Sequence, residues 1–316
     1  MKLIRDLSQF TSEFRGGAVT IGNFDGVHRG HARIVEQLVA MAEQLDGPAV
    51  VFTFDPHPVR LLRPTEVPPP LTWTRRKASL LSELNVDAVF AYPTDEELLR
   101  LTPDEFFQQI IRGTLAARAM VEGPNFHFGH DRVGNVELLG KLCAQHDIAL
   151  EVVPPLVVDG EPVSSSRIRR AIADGHIELA SQWLTHPYRL RGMVRHGASR
   201  GAKIGFPTAN LDAIDTLVPA SGVYAGRTHI NGIPHAAAVN VGPNPTFGEE
   251  VPKVEVHVLD FNSTIYGEPL EVDFLSRIRD VQTFESVDQL KKQLHEDVHQ
   301  VRHIVKSLPS KLADPR

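Results

Sequence analysis

The sequence predicts two successive folds: an α/β domain built on a parallel sheet, then a small antiparallel β-barrel or sandwich closed by a helix. Three observations carry this expectation. In the first half, short apolar runs alternate with segments of helical period. After about residue 186, β-like runs follow one another with Gly, Pro and Asn between them. The last stretch returns to a strong helical period. At 316 residues the chain also exceeds the usual size of one domain, and the expected domains are 1–186 and 187–316.

AVTIG at 18–22 reads as a buried strand. HARIVEQLVAMAEQL then places Ile34, Val35, Leu38, Val39, Ala42 and Leu45 along one helical face, and Asp46-Gly47 stops the helix. Further strands are expected at AVVFTF (49–54), VDAVFAY (86–92), ARAMVEG (117–123) and ALEVVPP (149–155), with helices near 74–84, 103–113 and 134–146. Strands separated by helices require crossover connections, hence a parallel sheet. The stretch PTEVPPPLT at 64–72 cannot be helix interior and reads as a surface loop.

In the second half the β-like runs are YRLRGMV, GVYAGRTHI, HAAAVNV, VEVHVLDF and LEVDFLSRI. The closing helix starts at a capping box, Ser286 with Gln289. Its apolar stripe is Val287, Leu290, Leu294, Val298, Val301, Val305 and Leu308.

Hydrophobic residues at 42% and charged residues at 23% fit a soluble globular protein. A formal charge of −6 argues against a nucleic-acid or anionic-membrane surface, which selects clustered Lys and Arg. Cys143 is the only cysteine, which excludes an intramolecular disulfide and disfavours a Cys-based zinc site; its neighbours Leu138, Leu139 and Leu142 place it in a core. Neither a signal peptide nor a run of about 18 apolar residues is present, so the expected location is the cytoplasm.

The strand AVTIG runs into GNFDGVHRGH at 22–31, where the long helix begins. A glycine-rich turn lets backbone N–H groups approach a phosphate, and the helix N-terminus adds a favourable dipole. His28 and His31 bracket Gly30; their side chains can donate to phosphate oxygens, and positive character on them would offset charge on a leaving pyrophosphate. By spacing alone the two histidines also fit metal ligands or surface residues. A second anion-binding group lies in VSSSRIRRAIADG at 163–175, which puts Ser164, Ser165, Ser166 and Arg167 at a helix start, with Arg169 behind. One of the serines also reads as a helix cap. Two such groups suit a nucleoside triphosphate.

GNFDGVHRGH resembles the HxGH signature of the nucleotidylyltransferase superfamily, in the version found in bacterial FAD synthetases. FTFDPHP (52–58), VEGPNFHFGH (121–130) and VSSSRIRR (163–170) resemble further blocks of that family in the same order. The resemblance implies a Rossmann-like nucleotidylyltransferase domain in which the FMN phosphate attacks the α-phosphorus of ATP and Mg-bound pyrophosphate leaves. It implies that His28 and His31 stabilise the transition state. Ser164, Ser165 and Arg167 would hold the triphosphate, Gly22, Asn23, Phe24, Asp25 and Gly30 would form the ATP loop, and Asn125 would contact nucleotide or flavin phosphate. His127 departs from the family, which has arginine there, and Ser165-Ser166 replaces Ser-Thr with the hydroxyl retained. His57, between two prolines, reads as loop-shaping; Phe54 and Phe128 could stack on a flavin or belong to the core.

RHGASRGAKIGFPTANL at 195–211 carries Gly197, Gly201 and Gly205, which permit a flexible loop over phosphates. Thr208 and Asn210 offer a hydroxyl and an amide oxygen, hard ligands suited to Mg²⁺. In VEVHVLDF at 254–261, Glu255, His257 and Leu259 point to one side of a strand. Glu255 among apolar neighbours can act as a general base, or it is an ordinary solvent-facing strand residue; His257 reads as structural or exposed. With VNVGPNPTFG (239–248) and IYGEPLEVDFLSRIR (265–279), these blocks resemble riboflavin kinase. That resemblance implies a β-barrel that transfers the γ-phosphate of MgATP to riboflavin, with Glu255 as base, Thr208 and Asn210 on ATP and Mg²⁺, and the three glycines over the phosphates. Ala202 and Val281 depart from the family at positions expected to be peripheral.

The two halves thus resemble the bacterial bifunctional family that makes FMN and then FAD, with ATP, riboflavin, FMN, FAD and pyrophosphate as its small-molecule partners. Three alternatives remain: one active half, a non-catalytic flavin-binding protein on the same scaffold, or a nucleotidylyltransferase for pantetheine phosphate. The oligomeric state is not encoded in these motifs.

Overall fold

A computed structural model describes residues 1–197, 200–244 and 249–307. The chain forms two compact units: Met1–Pro68 with Thr72–Ser164, and Pro69–Leu71 with the chain from Ser165.

The first unit is an α/β fold around a six-stranded, wholly parallel sheet. Its order is Lys2–Ile4, Ala88–Tyr92, Ala49–Phe54, Ala18–Ile21, Ala119–Glu122, Ala149–Val152. Five of these strands fall where the apolar runs predict them. The sixth, Lys2–Ile4, is too short to carry a readable period, yet it pairs residue for residue with Ala88–Phe90. The inner strands bury both faces, so their alternate side chains enter two cores, while the edge strands Lys2–Ile4 and Ala149–Val152 are partly exposed. Val19, Phe52, Phe90 and Met120 pack with Phe107, Ile111, Leu139 and Cys143. Ala18, Val51, Val89 and Val121 pack with Val35, Leu38 and Leu81. Cys143 is a core residue, as its neighbours predict.

The helix Arg29–Gln44 buries Ala32, Val35, Leu38 and Ala42. Ile34, Val39 and Leu45 flank that stripe, partly buried. The helix expected near 103–113 is instead two pieces: an α-turn Pro103–Phe106 behind a Thr102–Glu105 capping box, then a π-helical stretch Phe107–Thr114.

The second unit holds a closed antiparallel barrel, which decides between barrel and sandwich. Its order is Tyr188–Arg195, Ala209–Asp212, Glu249–Val258, Ile233–Asn244, Gly222–Ile230, Pro269–Arg279, closing onto Tyr188–Arg195. Ala209–Asp212 is the strand that the sequence did not declare. Val239, Val254, Val256 and Val258 are buried on one face of these strands. On the opposite face packs the helix Val287–Lys306, with Val301 beside Ala225 and Leu259. Ser286 caps it by accepting the Gln289 N–H (3.2 Å), while the Gln289 side chain accepts from Glu285 N–H, one residue before the expected partner. Leu308, and Pro245–Gly248 of VNVGPNPTFG, lie outside the described residues.

Within the barrel unit, Asp273 accepts from Arg189 Nε (2.5 Å) and Arg227 Nη2 (2.9 Å). Asp273 is 1% exposed and Arg227 2%. Their contacts with Asp273 hold its carboxyl below the usual range against the opposing effect of burial, which is the larger single influence. Removing one member of a buried pair strands the other charge. Asp273→Ala is therefore expected to destabilise the barrel unit by roughly 3–5 kcal/mol, read as a shift in its denaturant midpoint. The double replacement Arg227→Met/Asp273→Leu should recover part of that loss.

Candidate functional site

In the first unit the chain reverses its order of strand addition at Ala18–Ile21, whose neighbours are Ala49–Phe54 and Ala119–Glu122. Ligand crevices in open α/β sheets lie at the carboxyl ends of strands at such a switch point. A cavity of about 490 Å³ opens there. Gly22, Asn23, Phe24, His28, Gly30, His31 and Asn125 all border it. So do Phe54, His57 and Phe128, the last also a core residue. His57 Nδ1 accepts the Val59 N–H (3.1 Å), the loop-shaping role its prolines suggest.

The turn is held in a costly conformation. Phe24 (φ 45°) and Val27 (φ 38°) occupy the left-handed region, unusual for a bulky or β-branched residue. Buried bonds fix them: Asp25 Oδ1 accepts from Thr72 N–H (3.0 Å) and Thr72 Oγ1–H (3.1 Å), and Gly26 N–H donates to Thr72 Oγ1 (3.1 Å). Asp25 thus braces the turn and does not border the cavity. Beneath it, Lys77 Nζ donates to Thr53 Oγ1 (3.2 Å), and the Thr53 hydroxyl donates to Asn23 O (3.2 Å).

His28 is the N-cap of the helix: its Nδ1 accepts the His31 N–H at 3.2 Å. That bond assigns the ring proton to Nε2. The two imidazoles stack with centroids 3.6 Å apart. Burial lowers His28 to about 4, against a weaker opposing pull from Asp25. Burial, His28 and Lys77 together drive His31 well below the ordinary value. Both rings are neutral at neutral pH in the ligand-free protein, which corrects the positive character expected of them; a neutral Nε2–H still donates to a phosphate oxygen.

The serine–arginine block is less gathered. Val163 borders the cavity and lies 3.5 Å from a Cβ built on Gly30. Ser164 follows it, Ser165 opens the helix Ser165–Ala173, and the Arg167 guanidinium sits over the Trp183 ring at 4.0 Å.

In the second unit a cavity of about 150 Å³ lies against the barrel strands and the closing helix. Gly201, Thr208, Asn210 and Glu255 border it. Glu255 stands directly opposite Asn210 on one neighbouring strand and Asn240 on the other. Directly opposed residues share a face. The three therefore form one polar row, which removes the solvent-facing reading of Glu255. His257 shares that side, and its ring nitrogen lies 2.8 Å from Pro207 O. Gly201 is required by close approach, since a Cβ would meet the Phe206 backbone O at 2.3 Å; at Gly197 a Cβ would meet the Asn210 amide at 2.2 Å and displace it. Gly205 is required by φ +94°. The loop they form is not wholly irregular, since Arg200–Lys203 is a helical turn closed by Phe206 N–H to Gly201 O at 2.8 Å. Val281 borders the cavity and is not peripheral as expected; Ala202 lies in the helical turn.

Sequence reasoning missed Lys77, Thr53, Thr72 and Glu122 in the first site, and Asn240, Lys253, Arg279 and Asp297 in the second. Lys77 had a signal: it shares a helical face with Leu80 and Leu81, both buried. Asn240 acquires meaning only through strand register.

The FAD synthetase family profile matches residues 10–167, and the riboflavin kinase profile residues 184–305. A bifunctional riboflavin kinase/FMN adenylyltransferase from Pseudomonas fluorescens is 35% identical over 303 residues, covering 96% of this chain and 97% of the relative. Its counterpart in Escherichia coli K12 is 34% identical, covering 94% and 96%; that of Bacillus subtilis 168 is 33% identical, covering 88% and 89%. A solved structure described as a macrolide-efflux protein from Streptococcus pneumoniae superposes with a TM-score of 0.84 at 33% identity, covering 96% of this chain and 99% of the other.

A buried neutral histidine makes stability depend on pH. His28 falls from 6.5 in the unfolded chain to about 4 when folded, so the unfolded state binds more protons between those values. Its contribution is present above pH 6.5 and is lost as pH falls toward 4. By pH 5 the first unit should lose about 2 kcal/mol relative to pH 7 through this group, and His28→Gln should flatten that slope in urea titrations.

Proposed function

We propose that this chain, which belongs to the family of bifunctional riboflavin kinase/FMN adenylyltransferases, performs each of its reactions at its own cavity. It phosphorylates riboflavin to FMN and adenylylates FMN to FAD. The observation behind the division is that Gly22, Asn23, His28, His31 and Asn125 border a cavity of the first unit, while Thr208, Asn210 and Glu255 border a different cavity in the second. Residues 1–186 are assigned to adenylylation and 187–316 to the kinase.

In the kinase cavity Glu255 accepts the proton as the ribityl hydroxyl oxygen attacks the γ-phosphorus of ATP; the bond to the β-phosphate oxygen breaks and ADP leaves. Asn210 and Asn240 flank the carboxylate and orient it. The Thr208 hydroxyl and the Asn210 amide oxygen are hard donors that would hold Mg²⁺, which would supply neutralisation of the phosphate charge. Gly197, Gly201 and Gly205 allow backbone to lie close to the phosphates.

In the adenylylation cavity an FMN phosphate oxygen forms a bond to the α-phosphorus of ATP as pyrophosphate leaves. His28 and His31 donate hydrogen bonds to oxygens on which charge grows. Gly22, Asn23, Phe24 and Gly30 form the wall of that turn, and Asn125 borders the same space. Ser164, Ser165 and Arg167, next in sequence to the cavity-lining Val163, are assigned to the triphosphate. Asp25 acts through Thr72 by holding the turn in shape. Apolar side chains such as Leu98, Phe106 and Phe128 suit a flavin ring. The enzyme is placed in the cytoplasm, with its ATP supply.

The efflux title belongs to the structural neighbour. Among the described residues here, no helix is long and apolar enough to cross a membrane.

Incubation of the purified protein with riboflavin and MgATP should yield FMN and then FAD on chromatography; neither product would sink the reading. Glu255→Ala should abolish FMN formation and leave FMN-to-FAD conversion measurable, while His28→Ala should do the reverse. Loss of both steps in either folded variant would refute separate sites. Thr208→Ala should raise the Mg²⁺ concentration that half-saturates the kinase step by about tenfold, measured with adenylylation in the same preparation as the control.

A further inference from the structure

The two central strands of the sheet part company before they end. Ala18–Ile21 is paired along its whole length with Ala49–Phe52. Against Ala119–Glu122 it pairs only at Ala18–Ala119 and Val19–Met120. Successive N–H groups along a strand point to opposite neighbours. Ala18 N–H donates to Pro48 O and Gly22 N–H to Phe52 O, both toward the same side. Ile21 N–H therefore faces the strand that has already diverged, and a regular ladder offers it nothing.

The Glu122 side chain fills that place. Its Oε1 accepts the Ile21 N–H at 2.7 Å, and the residue is 3% exposed while bordering the cavity. A carboxyl is an expensive way to fill a buried strand position unless it meets a specific need. Burial lifts its pKa well above the ordinary range, opposed only by the Ile21 bond. The Cys143 thiol, which feels the Glu122 charge, is itself pushed up to about 11, chiefly by burial. Glu122 is thus a buried side-chain acceptor, inserted where two strands separate.

We propose that Glu122 is a positioning residue for adenylyl transfer: its side-chain oxygen replaces the missing ladder partner of Ile21 and so fixes Gly22 and Asn23, where the histidine turn begins. The proposal rests on the adenylylation reading of this cavity. Ile21 is the last strand residue, and the same turn goes on to deliver His28 to the helix start. Backbone that drifts at Ile21 moves donors whose effect depends on their place in the transition state. The consequence falls on kcat more than on KM.

The test uses the full chain with FMN and MgATP. Glu122→Gln keeps a side-chain acceptor oxygen of the same reach, and its kcat for FAD formation should stay within about threefold of the parent. Glu122→Val removes the acceptor: kcat should fall at least about tenfold with KM for ATP and FMN nearly unchanged. FMN formation from riboflavin in the same preparation should be unaffected. Ile21 amide exchange, followed by NMR, should accelerate about tenfold or more in the Val variant and not in the Gln variant. A Val variant with parental kcat, or a Gln variant as slow as the Val variant, would overturn the proposal. If Glu122→Val does not fold, Glu122→Met restores bulk without a carboxyl or amide oxygen and takes its place under the same criteria. If the parent protein itself forms no FAD from FMN, the reading of the cavity fails; Ile21 exchange then still decides whether Glu122 holds that amide.

Discussion

The first unit depends on one constraint: the central strand Ala18–Ile21 must end, fully buried, at the point where its neighbours diverge. A strand ending in the interior leaves backbone groups to be satisfied and a gap to be filled. The gap is the cavity. The backbone is then turned through two left-handed non-glycine residues, Phe24 and Val27, to reach a helix start. Strain of that kind persists only where surroundings over-determine it. Here the surroundings are the Asp25–Thr72–Gly26 bonds on one side and the Lys77–Thr53–Asn23 chain on the other.

Charge follows from the same burial. Two cationic imidazoles stacked at 3.6 Å would repel each other in a poorly solvated place, and both are neutral instead. His28 uses its Nδ1 to cap the helix, which leaves its Nε2–H as the available donor. Burial lowers the pKa of the Lys77 amine beneath the turn, against the opposing pull of Asp25 and Asp55. The turn therefore presents oriented N–H dipoles at the helix start rather than stacked cations. It need not keep two unpaired cations desolvated while no ligand is bound.

Legibility in the sequence varied with the physics of each feature. Period and turn chemistry located five of six parallel strands, the helix at Arg29–Gln44 and the closing helix, because burial of a face imposes a period. Lys2–Ile4 escaped because three residues carry no period, and Ala209–Asp212 because its ANLD carries no run of apolar or β-branched residues and follows a Gly- and Pro-punctuated stretch that reads as loop. The glycine-rich turn and the Thr208–Asn210 and Glu255 segments were legible as local chemistry. The braces were not: Thr72 lies 47 residues from Asp25, and Glu122 lies 101 from Ile21. Lys77 shows in its helical spacing to Leu80 and Leu81 that it lies on the buried face, but not that its partner is Thr53, 24 residues away. A family resemblance marks residues that touch substrate more readily than residues that hold them.

The barrel meets the equivalent problem without a broken strand. Its closed ladder satisfies the backbone, so the polar row Asn210–Glu255–Asn240 can sit on a continuous surface. What that surface lacks is shelter, and the helix Val287–Lys306 supplies it: Leu290, Leu294, Asp297 and Val298 border the same cavity as Glu255. The helix is anchored where it must also be polar. Asp297 Oδ2 accepts from Arg279 Nη2 at 2.7 Å, and its Oδ1 from Arg279 Nε at 2.9 Å and Gln293 Nε2 at 3.0 Å. Because Arg279 opposes Val223, whose other partner is Asn240, one continuous cross-strand path joins that anchor to Glu255. A helix whose sequence shows an apolar stripe therefore also closes one side of the cavity that Glu255 borders.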